Sequence, residues 1–201
     1  MLFYITACRS EEFFVAFSCR QRGCCPSCGQ KRAILLAYRL NGEVLANVPH
    51  RQWVFTIPKR LRVYFRYDRS LLGKLCRAAY DTVCDVFKLE IESDCGVPSM
   101  IGAVQTFGDL VHWHSHIHAI VPEGVFTKSG HTSTGLSAGF VPIPDILKHR
   151  AVEFWQERVF ALLLDTHKIN DEIVGNMRSW KHSGFSVDNS VRINAGDKTG
   201  M

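Results

Sequence analysis

Val111-His112-Trp113-His114-Ser115-His116-Ile117-His118-Ala119-Ile120-Val121-Pro122 places four of the chain's nine histidines on alternate positions and runs straight into an apolar segment. Side chains two apart on an extended strand share one face of the sheet. His116 and His118 are therefore expected to project together, with Ile117 and Ala119 turned to the opposite face. Two neutral imidazoles held side by side on a rigid strand make half of a metal site. A lone histidine usually reads as a surface group or a strand-edge hydrogen bonder. A His-x-His pair leading into a β-branched run points instead to ligation.

The chain around this stretch has 201 residues, 46% apolar and 21% charged, enough for one main domain with a small module beside it. No apolar run is long enough to cross a bilayer, and the N-terminus lacks the basic-then-apolar form of a secretory leader. No membrane partner is expected, and the expected compartment is cytoplasmic. A formal charge of +5 permits nucleic acid as a partner without specifying it.

Five of the eight cysteines fall within the first 28 residues: Cys8, Cys19, Cys24, Cys25 and Cys28. Cys25-Pro26-Ser27-Cys28-Gly29 has the form of a zinc knuckle, two thiolates two residues apart with a glycine that permits the tight turn. Cys8 and Cys19 complete a four-sulfur set for one structural Zn²⁺, while Cys24 would point away from the same ion. A redox dithiol is the alternative, but that motif normally opens a helix after a strand. Arg20, Arg22, Lys31 and Arg32 flank the knuckle and suit phosphate backbones, the alternative being a solvated charged surface. Cys76, Cys84 and Cys95 read as small buried hydrophobes. The module is expected to span residues 1–48, ending in a helix over Ile34–Val48 that stops before Pro49.

Residues 49–201 form the second expected domain. Trp53-Val54-Phe55-Thr56-Ile57 is a β-prone run closed by Pro58. Lys59, Arg60, Arg62, Arg66 and Arg69 then interleave with Tyr64, Phe65 and Tyr67. That connector is either a single-stranded nucleic-acid groove or a solvated basic face. Ser70 is the expected N-cap of a helix from Leu71 to about Ile91. A strand over Met100–Phe107 precedes the histidines. Further helices are expected over Asp145–His167 and Asp171–Trp180, before the short run Phe185–Ile193. Strand, long helix, strand, histidine strand predicts an α+β fold: a largely antiparallel, split βαβ sheet with helices on one face.

Phe107-Gly108-Asp109-Leu110-Val111-His112-Trp113-His114-Ser115-His116-Ile117-His118-Ala119-Ile120-Val121 resembles the HUH motif of rolling-circle insertion-sequence transposases, the group with an N-terminal zinc-binding domain. Phe17-Ser18-Cys19 through Gly29, Trp53 through Pro58, and Ser179-Trp180-Lys181-His182-Ser183-Gly184-Phe185-Ser186-Val187 resemble further blocks of that family, in its order. His112 and Ser115 depart from the family's usual Asn and Pro, Glu123 from its Asp, and Cys24 from an aromatic.

The resemblance implies metal-dependent cleavage of single-stranded DNA by a tyrosine, with Mg²⁺ or Mn²⁺ at His116 and His118. Two imidazoles cannot fill an octahedral shell. Gln105 is the candidate third ligand, the alternative being a strand-edge hydrogen bonder. An approach loop through Ser115 is expected to carry His114 as a positioning residue rather than a ligand. Arg20, Arg22, Lys31, Arg32, Lys59 and Arg60 are the expected DNA contacts. The five tyrosines, Tyr4, Tyr38, Tyr64, Tyr67 and Tyr80, all precede the histidines, whereas the family's nucleophile follows the Ser183–Val187 block. The sequence is thus expected to stop short of its nucleophile and to be inactive alone. A catalytically inactive zinc-dependent DNA-binding remnant and a water-activating metal hydrolase are the competing readings.

Overall fold

Two short runs near the N-terminus pair as an antiparallel hairpin, β1 (Phe3–Cys8) and β2 (Glu11–Ala16), with Phe3 opposite Ala16 and Cys8 opposite Glu11. The computed structural model describes residues 3–8, 11–16, 26–91, 96–108, 112–127, 139–143 and 148–196. Helix α1 (Pro26–Arg39) follows. Pro26 opens it, where a missing backbone N–H costs nothing. It gives way to a π-helical turn over Leu40–Val44, closed by Leu45 N–H donating to the Leu40 carbonyl at 2.8 Å. The helix expected over Ile34–Val48 therefore starts eight residues earlier and ends sooner. Asn41 and Gly42, both poor helix formers, sit where the regular register breaks. The chain divides into two compact units between Ala46 and Asn47.

The second unit is built on β3 (His50–Thr56), α2 (Lys59–Tyr67), α3 (Leu71–Glu90), β4 (Gly96–Val97), β5 (Ile101–Phe107) and β6 (Trp113–Pro122). It continues through β7 (Gly124–Thr127), β8 (Phe140–Pro142), α4 (Lys148–Asp165), α5 (Asp171–Arg178), β9 (Ser186–Asp188) and β10 (Arg192–Ile193). Strand β6 pairs antiparallel with β3 on one side and β5 on the other. Strands β3 and β5 consequently run parallel, joined through α2 and α3, with β6 inserted between them. Strands β9 and β10 continue the sheet beyond β3, and β4, β7 and β8 form a separate three-stranded antiparallel sheet. The fold is α+β, as expected.

Alternation along the strands sorts the residues. Trp53 and Phe55 on β3, and Ser115, Ile117, Ala119 and Val121 on β6, are buried, while the residues between them are half-exposed. The buried set joins Leu61 and Phe65 of α2, Leu75, Val83 and Val86 of α3, Trp155 and Leu163 of α4 and Met177 of α5 in one core. Each such side chain contributes about 1.5–3 kcal/mol on burial. Trp155 fixes the layers to each other: its ring lies 5.1 Å from that of Phe55, and its indole Nε1–H donates to the Thr56 carbonyl at 2.8 Å.

Local readings changed in three places. The basic connector is a helix, because Leu61 and Phe65, one turn apart, both reach the core while Lys59, Arg60 and Arg66 stay in water. Ser70 is not an N-cap: its backbone is already helical at φ −63°, and its side chain makes no capping bond. Asp68 instead accepts from both the hydroxyl and the N–H of Ser70. No loop runs through Ser115, since β6 begins at Trp113 and His114 lies within the strand. Serine at 115, unlike proline, leaves a backbone N–H in place, and its side chain occupies a buried position of the alternation. The helix expected over Asp145–His167 appears as α4, with residues 144–147 outside the described set.

The far end of the sheet is tied by a buried carboxylate. Glu123 accepts from Arg192 Nε at 2.7 Å and ion-pairs with Arg51, and these two arginines are themselves direct neighbours across β3 and β10. Gly124 follows because a Cβ there would lie 2.1 Å from the Val141 carbonyl. His50 is buried beside this cluster; burial pushes its pKa below the ordinary value, against opposing effects of the Val48 backbone and Glu123. The unfolded chain therefore binds this proton more tightly than the folded one. Stability from His50 is fully present above pH of about 6.5 and falls as the pH drops from there toward the folded pKa. Urea midpoints should decline more steeply between pH 7.5 and 5 (roughly this window) in the parent chain than in His50→Gln. Equal slopes would remove His50 from the account.

Candidate metal centre

The half-exposed face of the sheet carries His114, His116 and His118 on β6, Thr56 and Val54 opposite them on β3, and Gln105 and Ala103 opposite them on β5. Gln105 is the direct cross-strand partner of His116. Directly opposed residues on antiparallel strands have Cβ atoms about 4.5–5.5 Å apart, so an amide there reaches the same ion as the imidazole. The His116 and His118 rings meet edge to face with centroids 5.0 Å apart, and the His114 ring lies 4.7 Å from that of His116. His112 stacks next in line, 6.3 Å from His114.

The hydrogen bonds bear on which ring nitrogens are open to a metal. His116 Nδ1 lies 2.9 Å from the His114 carbonyl, an acceptor only, so Nδ1 carries the proton and Nε2 keeps its lone pair. The Gln52 amide nitrogen lies 3.1 Å from His118 Nδ1, and a half-turn of the amide sets its oxygen there instead. In that sense Nδ1–H donates and His118 Nε2 is likewise left for an ion. Burial lowers the His118 pKa, and the neighbouring His116 pushes the same way. A ring kept neutral near pH 7 is a ring able to ligate. Among the described residues, no three His, Cys, Asp or Glu side chains gather around one point. The residues here that could hold a hard divalent ion are the two imidazoles and the Gln105 amide oxygen, a set that needs water or phosphate oxygens to complete an octahedral shell.

Gln52 escaped the sequence reading. It lies 66 positions from His118, and only the β3–β6 register brings the two together. Its place directly before the β-prone run that opens at Trp53 was its one visible signal.

The other expected site residues are distributed as follows. Cys8 ends β1 and Cys28 lies in the first turn of α1; Cys19, Cys25, Arg20 and Arg22 fall outside the described residues. Lys31 and Arg32 are exposed on α1, and Lys59 and Arg60 at the start of α2. Arg60 is already engaged, donating to Asn176 Oδ1 at 3.0 Å with its guanidinium 5.6 Å from the Trp180 ring centre. Of the aromatics in α2, Phe65 is core, Tyr64 packs against it, and Tyr67 is 80% exposed. No described helix is long and apolar enough to cross a membrane.

Comparison with known proteins gives three findings. Residues 1–57 match a family described as a transposase zinc-binding domain, and residues 99–199 match one described as a putative transposase. A curated relative, the transposase for insertion sequence element IS801 of Pseudomonas savastanoi pv. phaseolicola, is 32% identical over 121 residues. That match takes in 58% of this chain and 28% of the relative, so the chain spans little more than a quarter of the protein it matches. No solved structure matches the chain.

Proposed function

Because the chain belongs to the transposase family, with a zinc-binding domain at its N-terminus, we propose that it serves DNA transposition through an HUH-type centre acting on single-stranded DNA. The observation that carries this reading is the pair of half-exposed imidazoles on one face of one strand, each with its Nδ1 partnered. His116 and His118 hold a Mg²⁺ or Mn²⁺ ion from one side, and Gln105 from the neighbouring strand. An ion bound there polarises a DNA phosphate and offsets charge in the transition state. His114 holds the proton of His116 in place through its carbonyl, and Gln52 does the same for His118. The attacking group of such a centre is a tyrosine, a role assigned to none of Tyr4, Tyr38, Tyr64, Tyr67 or Tyr80.

In the N-terminal unit, Cys8, Cys19, Cys25 and Cys28 are the proposed ligands of a structural Zn²⁺, since four thiolates make a closed tetrahedral shell. Arg20, Arg22, Lys31 and Arg32 would then be carried on a metal-pinned segment beside the DNA, with Lys59 and Arg60 contributing from α2.

Fluorescence anisotropy with a labelled single strand tests the reading. The zinc-loaded chain should bind with an affinity that falls steeply with salt, and Mn²⁺ should raise that affinity by about tenfold or more through a shared phosphate. Exchange into Mn²⁺-free buffer, which leaves tightly held cysteine zinc in place, should reverse the gain. Absence of single-strand binding, or indifference to Mn²⁺, would overturn it.

A further inference from the structure

Strand β9 adds side chains to the face that carries the histidines. Ser186 is the direct cross-strand partner of Thr56, and Thr56 is that of His116. Directly opposed residues of antiparallel strands project from one face. Ser186, Thr56, His116 and Gln105 therefore form a single polar row across β9, β3, β6 and β5. Burial agrees with this placement. Thr56 is half-buried and Ser186 exposed, whereas Val187, Phe55 and Ile117, the row beside them, lie in the core.

Gln105 and Thr56 flank His116 from its two sides, each about one strand spacing, roughly 4.8 Å, away. Their chemistry differs. The Gln105 amide oxygen suits a cation, while a neutral hydroxyl donates well to an anionic oxygen. Among the described residues neither the Thr56 nor the Ser186 hydroxyl has a hydrogen-bond partner. Threonine is at home in any strand, so its presence alone decides nothing. The next row on the same face, Asp188, Val54, His118 and Ala103, supplies the contrast. Beyond its histidine it offers a phosphate no donor. Its β9 member is a carboxylate, already accepting from the Ser190 hydroxyl at 3.1 Å, and repels like charge. A polyanion leaving His116 toward β9 thus has one row that receives it and one that does not.

We propose that the Thr56 hydroxyl donates to an oxygen of the phosphate held at the histidine centre, and the Ser186 hydroxyl to the backbone of the same DNA strand farther on. The single strand then crosses the sheet between β5 and β9, at right angles to the β-strands. This rests on the single-strand reading above and adds to it the path of the substrate. Ser186 lies two strand spacings, about 10 Å, from His116, so its contact falls on a neighbouring nucleotide. Phosphate contacts of this kind set register and orientation and carry no base preference.

The experiment uses the full zinc-loaded chain, a fluorescently labelled single strand and Mn²⁺. Thr56→Val keeps the branched shape of the side chain and removes its hydroxyl. It should weaken single-strand binding in Mn²⁺ about tenfold, the loss expected for a hydrogen bond to a charged group. Thr56→Ser should bind as the parent does, and Ser186→Ala should lose about fivefold. Neither loss should change the salt slope, because a neutral donor releases no counterion. The urea midpoint, and the Mn²⁺ affinity of the DNA-free chain read by paramagnetic resonance, should stay at parent values. Parent-like binding in Thr56→Val or in Ser186→Ala would overturn the path alone, as would a Thr56→Ser variant as weak as Thr56→Val. A fall in Mn²⁺ affinity of DNA-free Thr56→Val would also overturn it, since Thr56 would then serve the ion rather than the phosphate. A parent chain that binds no single strand would overturn the proposed function and this inference with it.

Discussion

Replacing His116 and His118 together by alanine is expected to abolish Mn²⁺ binding at the sheet face without unfolding the chain. Both rings are only half-buried and lie opposite the core-facing alternation, so their loss opens no cavity. Each single substitution should weaken Mn²⁺ by at least about a hundredfold, because an ion left with one imidazole competes poorly with bulk water. Gln52→Leu should cost about tenfold, since outer partners of a ligating histidine set its tautomer and orientation. Mn²⁺ paramagnetic resonance reads these affinities directly, and elemental analysis should find the cysteine-bound Zn²⁺ unchanged throughout. If the double variant bound Mn²⁺ as the parent does, the ion would belong elsewhere.

The largest effect on folding is expected at Trp155. It is fully buried, packs its ring at a tilt against Phe55 and donates to the Thr56 carbonyl, so it holds α4 against the strand that registers His116. Trp155→Ala should destabilise by about 3–5 kcal/mol, the range for removing a large aromatic from a packed core. Trp155→Phe keeps most of the packing but orphans the carbonyl, and should cost about 1–2 kcal/mol. Urea unfolding of the two variants measures both. A loss below about 1 kcal/mol in Trp155→Ala would mean that α4 is not part of the cooperative unit.

Much of this arrangement was legible in the residues. The β-branched and aromatic runs at Trp53–Ile57 and Ile117–Val121 mark buried strands because nothing else satisfies so many apolar side chains in so short a span. The inner stripe of α3 follows helical spacing closely, with Leu75, Ala79, Val83, Val86 and Phe87 all buried. What failed did so for identifiable reasons. The basic residues of α2 mask a core contact made by only Leu61 and Phe65. Leu35, Leu36 and Val44 fit the helical apolar spacing expected after Ile34 but are exposed. Ser70 carries the right side chain for a cap but the wrong backbone, because Asp68 two residues earlier takes the hydrogen bonds first.

The histidine site divides along the same line. Alternation alone identifies His116 and His118 as neighbours, and a hairpin suggests Gln105. The partners of their Nδ1 atoms depend on pairing between strands far apart in the chain, or on a backbone carbonyl, and no pattern of side-chain types encodes that.

The alternation of β6 has a consequence for how this chain can change over evolutionary time. Ile117 and His118 are adjacent, yet one is judged by how it packs beneath the helices and the other by what it holds on the open face. Substitutions at odd positions of the strand are filtered by fold stability and those at even positions by chemistry, with little crosstalk because the side chains lie on opposite sides of one backbone. A lineage can therefore change what its open face presents without forfeiting the scaffold, and can drift in its core without disturbing the histidine row.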